Sequence, residues 1–415
     1  MIKYGLCGKT LKHSYSEIIH NLLGNFEYKL INLTKEEFYD FIKSRGFCAL
    51  NVTIPYKTDA LALSDVVSDE AKKIGSVNTL VNNGGTLYGY NTDYYGFKYM
   101  IEKAGVDISG RKALILGTGG TSLTARAVIR DLGARETVIV SRSGEVNYEN
   151  VYDHSDAEII VNTTPVGMYP NNGESLLDLS RFGRLSAALD VIYNPLKTKF
   201  LSDAEKFGVP AVSGLSMLVA QAVMAHELFF DTAFPDRTAV VEDILGKCSK
   251  KVSNIVLVGM PGCGKSTIGR YLAEKTGMDF YDTDKYLEKK TGRRIPDIIN
   301  EDGEESFRAL ETEVLAELTK NPSCVIATGG GAPIREYNRY LIKQNGICVY
   351  IRRDTEKLAT AGRPLSAGGI ERLMELYDIR NPIYTAVSDF GVDMGENSKE
   401  CTDEIYKMIF GGNER

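Results

Sequence analysis

The stretch NIVLVGMPGCGKST, which begins at Asn254, limits the fold of this chain more than any other. Its opening apolar residues predict a buried strand. The rest matches G-x-x-x-x-G-K-[ST], a loop whose glycines let backbone amides converge on phosphate groups at the start of a helix. The stretch therefore predicts an α/β domain with a parallel sheet that binds a nucleoside triphosphate. The residues assigned to the loop are Gly262, Cys263, Gly264, Lys265, Ser266 and Thr267.

Side chains in and after this loop predict phosphoryl transfer. Lys265 is expected to reach the β- and γ-phosphates of ATP, and the Ser266 hydroxyl is expected to ligate Mg²⁺. Further on, FYDTDKYLEKKTG places Asp282 and Asp284 two residues apart after a predicted strand, so their side chains share a face. We expect one of these carboxylates to serve the metal and the other to face the phosphoryl acceptor.

A different glycine turn, ILGTGGTS, lies earlier in the chain. It follows an apolar strand and precedes a helix, which is the setting of a loop that binds the pyrophosphate of a dinucleotide. Ser122 stands where the usual pattern has its third glycine. A plain turn between strand and helix would give a similar pattern, so this match is weak alone. The residues assigned to the cofactor here are Gly117, Gly119, Gly120, Thr121 and Ser122.

The end of the next predicted strand favours NADP over NAD. TVIVSRS places Arg142 between Ser141 and Ser143, where NAD-binding domains keep an acidic residue. A guanidinium pairs well with phosphate oxygens, so this arginine and its two hydroxyl neighbours suit a 2′-phosphate. The alternative is a solvated arginine at a strand end.

Length and composition set broad limits. A chain of 415 residues predicts two or three domains. The net charge of −6 gives no reason to expect nucleic acid as a partner. The seven cysteines form no C-x-x-C pair, which is typical of a reducing compartment. The N-terminus does not resemble a signal peptide, and the apolar stretch 216–230 is too short and polar to span a bilayer. We therefore expect a cytoplasmic protein without a membrane partner.

Three blocks organise the chain. Residues 1–92 alternate short strands with helices, and LVNNGGTLYGY predicts a β-hairpin whose Asn-Gly pair supplies positive φ at the turn. KALILGTGGTSLTARAVIRDLGARETVIVSR predicts a strand–helix–strand unit, and GKCSKKVSN is the best linker candidate. The predicted domains are a substrate domain over 1–95 with returning helices at about 215–246, a dinucleotide domain over 96–214, a linker over 247–253 and a phosphate-loop domain over 254–415.

The first 246 residues resemble shikimate dehydrogenase. The matching segments are the serines of HSYS, NVTIPYK, SVNT, NTD, the G-x-G-G-x-S loop, the S-R-S clamp, NTTPVGM, YNP and the ML-x-x-Q-A pattern. The resemblance implies a substrate domain and a Rossmann domain that reduce 3-dehydroshikimate to shikimate with NADP(H), and leaves activity on quinate open. It makes Lys57 and Asp93 the catalytic pair, since a carboxylate can orient an amine for proton transfer. The implied shikimate-binding residues are Ser14, Ser16, Thr53, Asn78, Asp93, Tyr193 and Gln221.

Residues 252–410 resemble shikimate kinase. The matching segments are the phosphate loop, the D-x-D pair, F-R at 307–308, G-G-G at 329–331, the lid R-P-L at 363–365 and R-x-P-x-Y at 380–384. The resemblance implies transfer of a phosphoryl group from ATP to the 3-hydroxyl of shikimate. It makes Lys265, Asp284 and Arg363 catalytic, with Asp284 accepting the hydroxyl proton and Ser266 and Asp282 holding Mg²⁺. The implied shikimate-binding residues are Asp284, Arg308, Gly330 and Arg380.

The lid of the second block departs from the family pattern. It is short, and residues 359–362 offer no arginine where many relatives carry one against the adenine. We expect the adenine contact to be made differently. Two functions stay open: a bifunctional enzyme that makes and then phosphorylates shikimate, and a shikimate or quinate dehydrogenase with a degenerate kinase-like domain that senses a ligand.

Overall fold

The computed structural model describes residues 3–11, 14–170, 172–354, 356, 358 and 369–411. The chain divides into two compact units, Met1–Cys248 and Ser249–Arg415. Within the described residues, two sheets belong to the first unit and one belongs to the second. Helices flank these sheets, and most neighbouring strands run parallel, so the predicted α/β class is confirmed.

The first sheet of the first unit is mixed, with the strand order β2-β1-β3-β5-β6-β4. Its strands are β1 (Tyr4–Gly8), β2 (Tyr28–Asn32), β3 (Ala49–Val52), β4 (Val66–Val67), β5 (Thr79–Asn83) and β6 (Thr86–Tyr90). The helices of this region are α1 (Ser16–Leu23), α2 (Lys35–Ser44), α3 (Lys57–Leu63), α4 (Asp69–Ile74) and α5 (Asp93–Lys103). Helix α2 begins with a capping box, in which the side chains of Thr34 and Glu37 each accept a hydrogen bond from the other's backbone amide.

The predicted hairpin forms between β5 and β6, but its turn lies one residue later than expected. Asn83 is still in the strand and pairs with Thr86. Gly84 and Gly85 are the two turn residues, and both have positive φ, at 60° and 94°. A two-residue turn of this kind needs positive φ at both positions, which two glycines adopt more readily than an Asn-Gly pair.

The second sheet of the first unit is parallel, with the strand order β11-β10-β9-β7-β8. Its strands are β7 (Lys112–Leu116), β8 (Glu136–Val140), β9 (Ile159–Asn162), β10 (Ala187–Asp190) and β11 (Ala211–Val212). The helices that follow are α6 (Gly120–Asp131), α7 (Lys199–Lys206), α8 (Leu215–Phe230) and α9 (Arg237–Val252). Short 3-10 helices lie at Val151–His154 and Leu179–Arg181.

Helix α8 contributes to the cores of both sheets of the first unit. Met217, near its start, belongs to the apolar cluster on the second sheet. Ala225 and Phe229, near its end, belong to a cluster with Leu6 on the first sheet. The helix therefore holds the two sheets, and the cleft between them, in a defined arrangement.

The second unit has a five-stranded parallel sheet with the order β13-β14-β12-β15-β16. Its strands are β12 (Asn254–Val258), β13 (Asp279–Asp282), β14 (Cys324–Ala327), β15 (Gly346–Arg352) and β16 (Phe390–Asp393). Its helices are α10 (Lys265–Thr276), α11 (Thr283–Thr291), α12 (Ile295–Asp302), α13 (Glu304–Leu318), α14 (Glu336–Gln344), α15 (Gly369–Val387) and α16 (Ser398–Phe410), with a 3-10 turn at Ala332–Ile334. The predicted strand NIVLV is the buried central strand.

The segment expected to be a linker is mostly helical. Helix α9 continues to Val252 and β12 begins at Asn254, so only Ser253 lies between them. The division between the two units falls within this segment, after Cys248. The small and polar residues of this segment predicted a flexible linker. However, Cys248 and Val252 are fully buried and give the helix an apolar side.

A close contact beside α8 gives a test of the first unit's packing. A Cβ atom at Gly214 would lie 2.5 Å from the carbonyl carbon of Val191. Gly214→Ala is therefore expected to lower the free energy of unfolding by about 1–3 kcal/mol, because backbone atoms cannot rotate away from the added methyl group. Hydrogen–deuterium exchange of β10 and α8 in increasing urea measures this change. Gly183→Ala is the control, since its Cβ atom would meet no described atom within 4 Å; equal exchange in both variants would contradict the expectation.

Candidate active sites

A buried lysine and aspartate meet in the first unit. Lys57 is the first residue of α3, and Asp93 is the first residue of α5. The Lys57 Nζ atom donates to Asp93 Oδ2 at 2.6 Å, and the two side chains are only 10% and 9% exposed. The same Nζ atom lies 3.4 Å from the Thr121 hydroxyl on the glycine turn. The structure thus brings together the pair predicted from the sequence and joins it to the predicted cofactor loop.

Two groups of predicted substrate residues lie in this unit. Ser14 donates to the Ser16 hydroxyl at 3.1 Å, and Ser14 also hydrogen-bonds the hydroxyl of Tyr193, whose pKa is raised by burial. Asn78 and Gln221 form the second group, with Asn78 Nδ2 lying 3.4 Å from Gln221 Oε1. Hydroxyl and amide groups of this kind suit a small ligand with several hydroxyls.

Other members of this network were not predicted as site residues. The Thr92 hydroxyl donates to Gln221 Oε1 at 3.2 Å, and the Thr92 backbone amide donates to Asn78 Oδ1 at 2.8 Å. Thr53, which was predicted, lies directly after β3, and its backbone amide donates to Cys7 O at 2.9 Å. The N-T-D motif contains Thr92, but no local pattern shows that its neighbours in space are Asn78, directly before β5, and Gln221 in α8.

The glycine turn of the first unit has the geometry of a phosphate-binding turn. Gly117 has a φ of 110°, and the Ser122 hydroxyl donates to its carbonyl oxygen at 2.7 Å. Gly119 precedes α6 without a capping side chain, and the first turn of α6 carries no acidic residue. The amides at the start of this helix are therefore free to bind an anion, so the turn fits the pyrophosphate of a dinucleotide. A Cβ atom at Gly120 would lie 3.3 Å from Lys57 Cδ, so the turn also packs on the lysine.

The predicted clamp for a 2′-phosphate follows β8. Arg142 and Ser143 are exposed, and Ser141 is half-buried. The described carboxylates give Arg142 no ion pair, so its guanidinium is available to a ligand. This arrangement fits the 2′-phosphate of NADP.

A buried aspartate holds the loop that carries Tyr193. Asp190 ends β10 and accepts hydrogen bonds from Thr198 Oγ1 at 2.6 Å, from Asn162 Nδ2 at 3.1 Å and from the Ile192 amide at 3.0 Å. Asn162 ends β9, so this carboxylate joins two neighbouring strand ends. Burial raises the pKa of Asp190 to about 7, while the three donors act in the opposite direction.

This pKa gives a prediction for stability. The unfolded pKa is about 3.9, so between about pH 4 and 7 the folded state keeps a proton that the unfolded state has released, and the free energy of unfolding falls as pH rises. Asp190→Asn removes the titrating group but keeps an acceptor for Asn162 and Ile192. The free energy of unfolding of the variant minus that of the parent should rise from pH 5 to pH 7, by at most about 1.4 kcal/mol per pH unit.

Urea unfolding of the first unit at several pH values measures this difference. Asp153→Asn, at an exposed position, is the control. A difference between parent and Asp190→Asn that stays constant from pH 5 to pH 7 would contradict the prediction.

The phosphate loop of the second unit encloses its lysine. The Lys265 Nζ atom donates to the carbonyl oxygens of Gly259 and Met260, at 2.9 Å each. Cys263 is buried, with its Sγ atom 3.8 Å from the same Nζ atom. The loop's shape depends on positive φ at three glycines, which are Gly259, Gly262 and Gly264.

The predicted metal residues also meet. Ser266 Oγ lies 2.5 Å from Asp282 Oδ2, next to Thr267 in the first turn of α10. The described residues contain no group of three or more His, Cys, Asp or Glu side chains that could hold a metal ion. Two oxygen ligands and nucleotide phosphates are a donor set that Mg²⁺ accepts, so the site fits this ion when a nucleotide is bound.

A cavity of about 470 Å³ lies beside the phosphate loop and contains the predicted acceptor residues. The G-G-G turn makes room for them. A Cβ atom at Gly329 would lie 2.7 Å from Asp284 Oδ1, and one at Gly331 would lie 2.7 Å from Arg308 Cζ. Gly330 packs on the Pro261 ring at the start of the phosphate loop.

Charged groups in this cavity are partly paired. Arg308 donates to Glu311 Oε2 at 2.8 Å, while Glu311 Oε1 is buried without a hydrogen-bond partner among the described residues. Burial raises the pKa of Glu311, and Arg308 opposes that rise. Arg380 is buried beside the Tyr384 hydroxyl, which donates to Gly330 O.

Asp284 has a perturbed pKa. Its side chain is open to the cavity but is surrounded on most sides by protein, and this loss of bulk water is the largest cause that raises its pKa to about 7. The carboxylates of Asp282 and Glu311 act in the same direction, and Lys265 acts in the opposite one. A carboxylate that titrates near neutral pH suits general base catalysis.

One cation of this cavity was not predicted, and one predicted cation lies outside the described residues. Arg353 lines the cavity, although it belongs to none of the predicted motifs. The only signal was its position directly after a strand. The predicted lid residue Arg363 lies outside the described residues, as do residues 359–362.

These sites define two enzyme classes. The first unit has the dinucleotide turn and proton-transfer pair of a dehydrogenase, and the second has the phosphate loop and cavity of a small-molecule kinase. Among the described residues, no helix has the length and apolar content needed to cross a membrane.

Comparisons with known proteins give the families. Residues 6–80 match the family model "Shikimate dehydrogenase substrate binding domain", and residues 261–410 match the model "Shikimate kinase". The shikimate dehydrogenase (NADP(+)) of Clostridium perfringens (strain SM101 / Type A) is 38% identical over an alignment of 247 residues, which covers 54% of this chain and 91% of that protein.

Solved structures give related matches. Shikimate dehydrogenase 1 from Peptoclostridium difficile is 36% identical, with a TM-score of 0.56 over 60% of this chain and 97% of that one. Shikimate kinase from Acinetobacter baumannii in complex with shikimate is 36% identical and covers 41% of this chain and 99% of that one, with a TM-score of 0.39. The chain belongs to the shikimate dehydrogenase family and carries a shikimate kinase domain after it.

Proposed function

We propose that this chain catalyses two consecutive reactions. The first unit reduces 3-dehydroshikimate to shikimate with NADPH. The second unit transfers the γ-phosphoryl group of ATP to the 3-hydroxyl of that shikimate in the presence of Mg²⁺. The observation that carries this proposal is that each unit has its own buried lysine beside its own glycine loop, Lys57 in one and Lys265 in the other.

In the first reaction, Lys57 supplies the proton. The nicotinamide of bound NADPH supplies the hydride. Lys57 Nζ donates to the substrate oxygen as it becomes a hydroxyl, and Asp93, 2.6 Å away, orients the ammonium group and balances its charge. The Thr121 hydroxyl lies 3.4 Å from the same Nζ atom, so the proton donor is held beside the cofactor loop.

The other predicted residues of the first unit bind the ligands. The substrate's carboxylate and hydroxyls are held by Ser14, Ser16, Thr53, Asn78, Tyr193 and Gln221. Arg142, Ser141 and Ser143 bind the 2′-phosphate of NADP, with the pyrophosphate on the turn at 117–122. A preference for NADP(H) over NAD(H) supports the biosynthetic direction, which is the reduction of 3-dehydroshikimate.

In the second reaction, Asp284 accepts the proton of the attacking hydroxyl. Arg308 and Arg380 bind the carboxylate of shikimate, with Gly330 close enough to contact the ring. Lys265 stabilises charge on the phosphates, because an ammonium in a largely buried site interacts strongly with phosphoryl oxygens. Ser266 and Asp282 hold Mg²⁺, and Arg363 is proposed to close over the phosphoryl group.

Separate lysine substitutions test the two-site proposal. Lys57→Met should lower NADPH oxidation by about 10²-fold or more, because the proton donor is lost, and should leave ADP release from added shikimate unchanged. Lys265→Met should lower ADP release by about 10²-fold or more and leave NADPH oxidation unchanged. NADPH oxidation is measured by the loss of NADPH absorbance, and ADP release is measured by a coupled enzyme assay.

Each activity is the folding control for the other variant. Loss of both activities in either folded variant would contradict two independent sites. If the parent chain oxidises NADPH with 3-dehydroshikimate but releases no ADP from shikimate, ATP and Mg²⁺, the ligand-sensing alternative replaces the kinase.

The pKa of Asp284 predicts the pH profile of the kinase. Because the protonated acid cannot accept a proton, kcat/KM for shikimate should fall as pH drops below about 7, and approach a tenfold loss per pH unit. At pH 8, where the parent's carboxylate is ionised, Asp284→Asn should lose about 10²–10⁴-fold, and its kcat/KM should not show the parent's fall below pH 7. NADPH oxidation by the same variant is the control. A flat kcat/KM between pH 5.5 and 8 in the parent would exclude Asp284 as the base.

A further inference from the structure

Two adjacent arginines at the end of β15 have different surroundings. Arg352 is exposed, and its Nε atom lies 2.8 Å from Asp393 Oδ1. Arg353 follows it, and successive side chains of an extended chain point to opposite sides. Arg353 is half-buried, lines the cavity together with Lys265, and has a buried Nε atom without a hydrogen-bond partner among the described residues.

Within the described part of the chain, no carboxylate balances the charge of Arg353. A guanidinium stays protonated in proteins, so its charge needs an anion or water. The described carboxylates form no ion pair with Arg353, whereas Arg308 pairs with Glu304 and Glu311. Lys265 is already held by two carbonyl oxygens. The free donors of Arg353 therefore favour an anionic ligand in the cavity.

The strand order identifies which ligand group lies near Arg353. Strands β13 and β14 lead to Asp284 and to the G-G-G turn, on one side of the central strand β12. Strand β15 lies on the other side of β12. A Cβ atom at Gly259 would lie 2.5 Å from Ile351 O, so the end of β15 touches the start of the phosphate loop. Arg353 is thus on the nucleotide side of the cavity rather than on the acceptor side.

We propose that Arg353 binds a terminal phosphate of the nucleotide, as a second cation beside Lys265. This assignment rests on the proposed kinase function. It gives the second unit a phosphate ligand from the end of β15, a rigid strand that neighbours the loop strand. Because a guanidinium forms two parallel hydrogen bonds to phosphate oxygens, it would also orient the phosphate.

Nucleotide binding to the full chain tests this proposal. The probes are ADP and the non-hydrolysable analogue β,γ-methylene-ATP, each with Mg²⁺, titrated by calorimetry. In Arg353→Gln the Kd of the analogue should rise about tenfold or more, as expected for the loss of a charged hydrogen bond. Arg353→Lys should lie between parent and Arg353→Gln, since it keeps the charge but not the planar fork. Arg352→Gln is the matched control and should bind like the parent.

Several outcomes would overturn the assignment. These are an unchanged analogue Kd in Arg353→Gln, an equal loss in Arg352→Gln, and a raised KM for shikimate with unchanged nucleotide binding, which would place Arg353 on the acceptor. NADPH oxidation and thermal unfolding check that the variants are folded. If Arg353→Gln does not fold, the nucleotide affinity of Arg353→Lys is compared with that of the parent instead. If the parent binds the analogue through Arg353 but releases no ADP from shikimate, the kinase proposal fails while the phosphate assignment stands.

Discussion

Close approach of backbone at the carboxyl ends of parallel strands is the constraint on which both sites depend. In the first unit, a Cβ atom at Gly117 would lie 2.9 Å from Thr163 Oγ1. In the second unit, one at Gly331 would lie 2.5 Å from Arg308 Nη2. Glycine removes these collisions, so that backbone amides and charged side chains share a small space where a phosphate can bind. In the second unit the same sheet edge also presents Asp284, whereas in the first unit Lys57 and Asp93 begin helices that follow strands of the other sheet.

Charge is the second theme common to both sites. The Lys57–Asp93 and Arg308–Glu311 pairs are largely buried, and removing water from such groups costs free energy that their attraction must offset. Pairs of this kind contribute little to stability but keep ionised groups at defined positions. Asp284 differs, because the loss of bulk water, and after it the acidic neighbours Asp282 and Glu311, raise its pKa. Its environment therefore favours exchange of a proton rather than a fixed charge.

Sequence reasoning was most successful where a motif is local. The strand, turn and helix around each glycine loop occur as expected, and the α/β class is confirmed. The hairpin was correct as an element but its turn was one residue off, because two glycines adopt positive φ more readily than Asn-Gly. The segment predicted as a linker contains the division between the two units and is mostly helical, because buried Val252 gives it an apolar side. Asp190 and Arg353 were missed, since neither belongs to a pattern readable along the chain.

The sequence by itself determined the chemistry that each loop can support. Phosphate binding needs glycines, cations and hydroxyls within a few residues of one another, so a local pattern can indicate it. Only the tertiary structure decided which distant residues meet. Lys57 reaches Asp93 because α3 and α5 begin at the same cleft, and Arg353 faces the phosphate loop because β15 pairs with β12. Strand order and helix packing arise from the burial of apolar surface across the whole unit, and no local pattern of letters contains them.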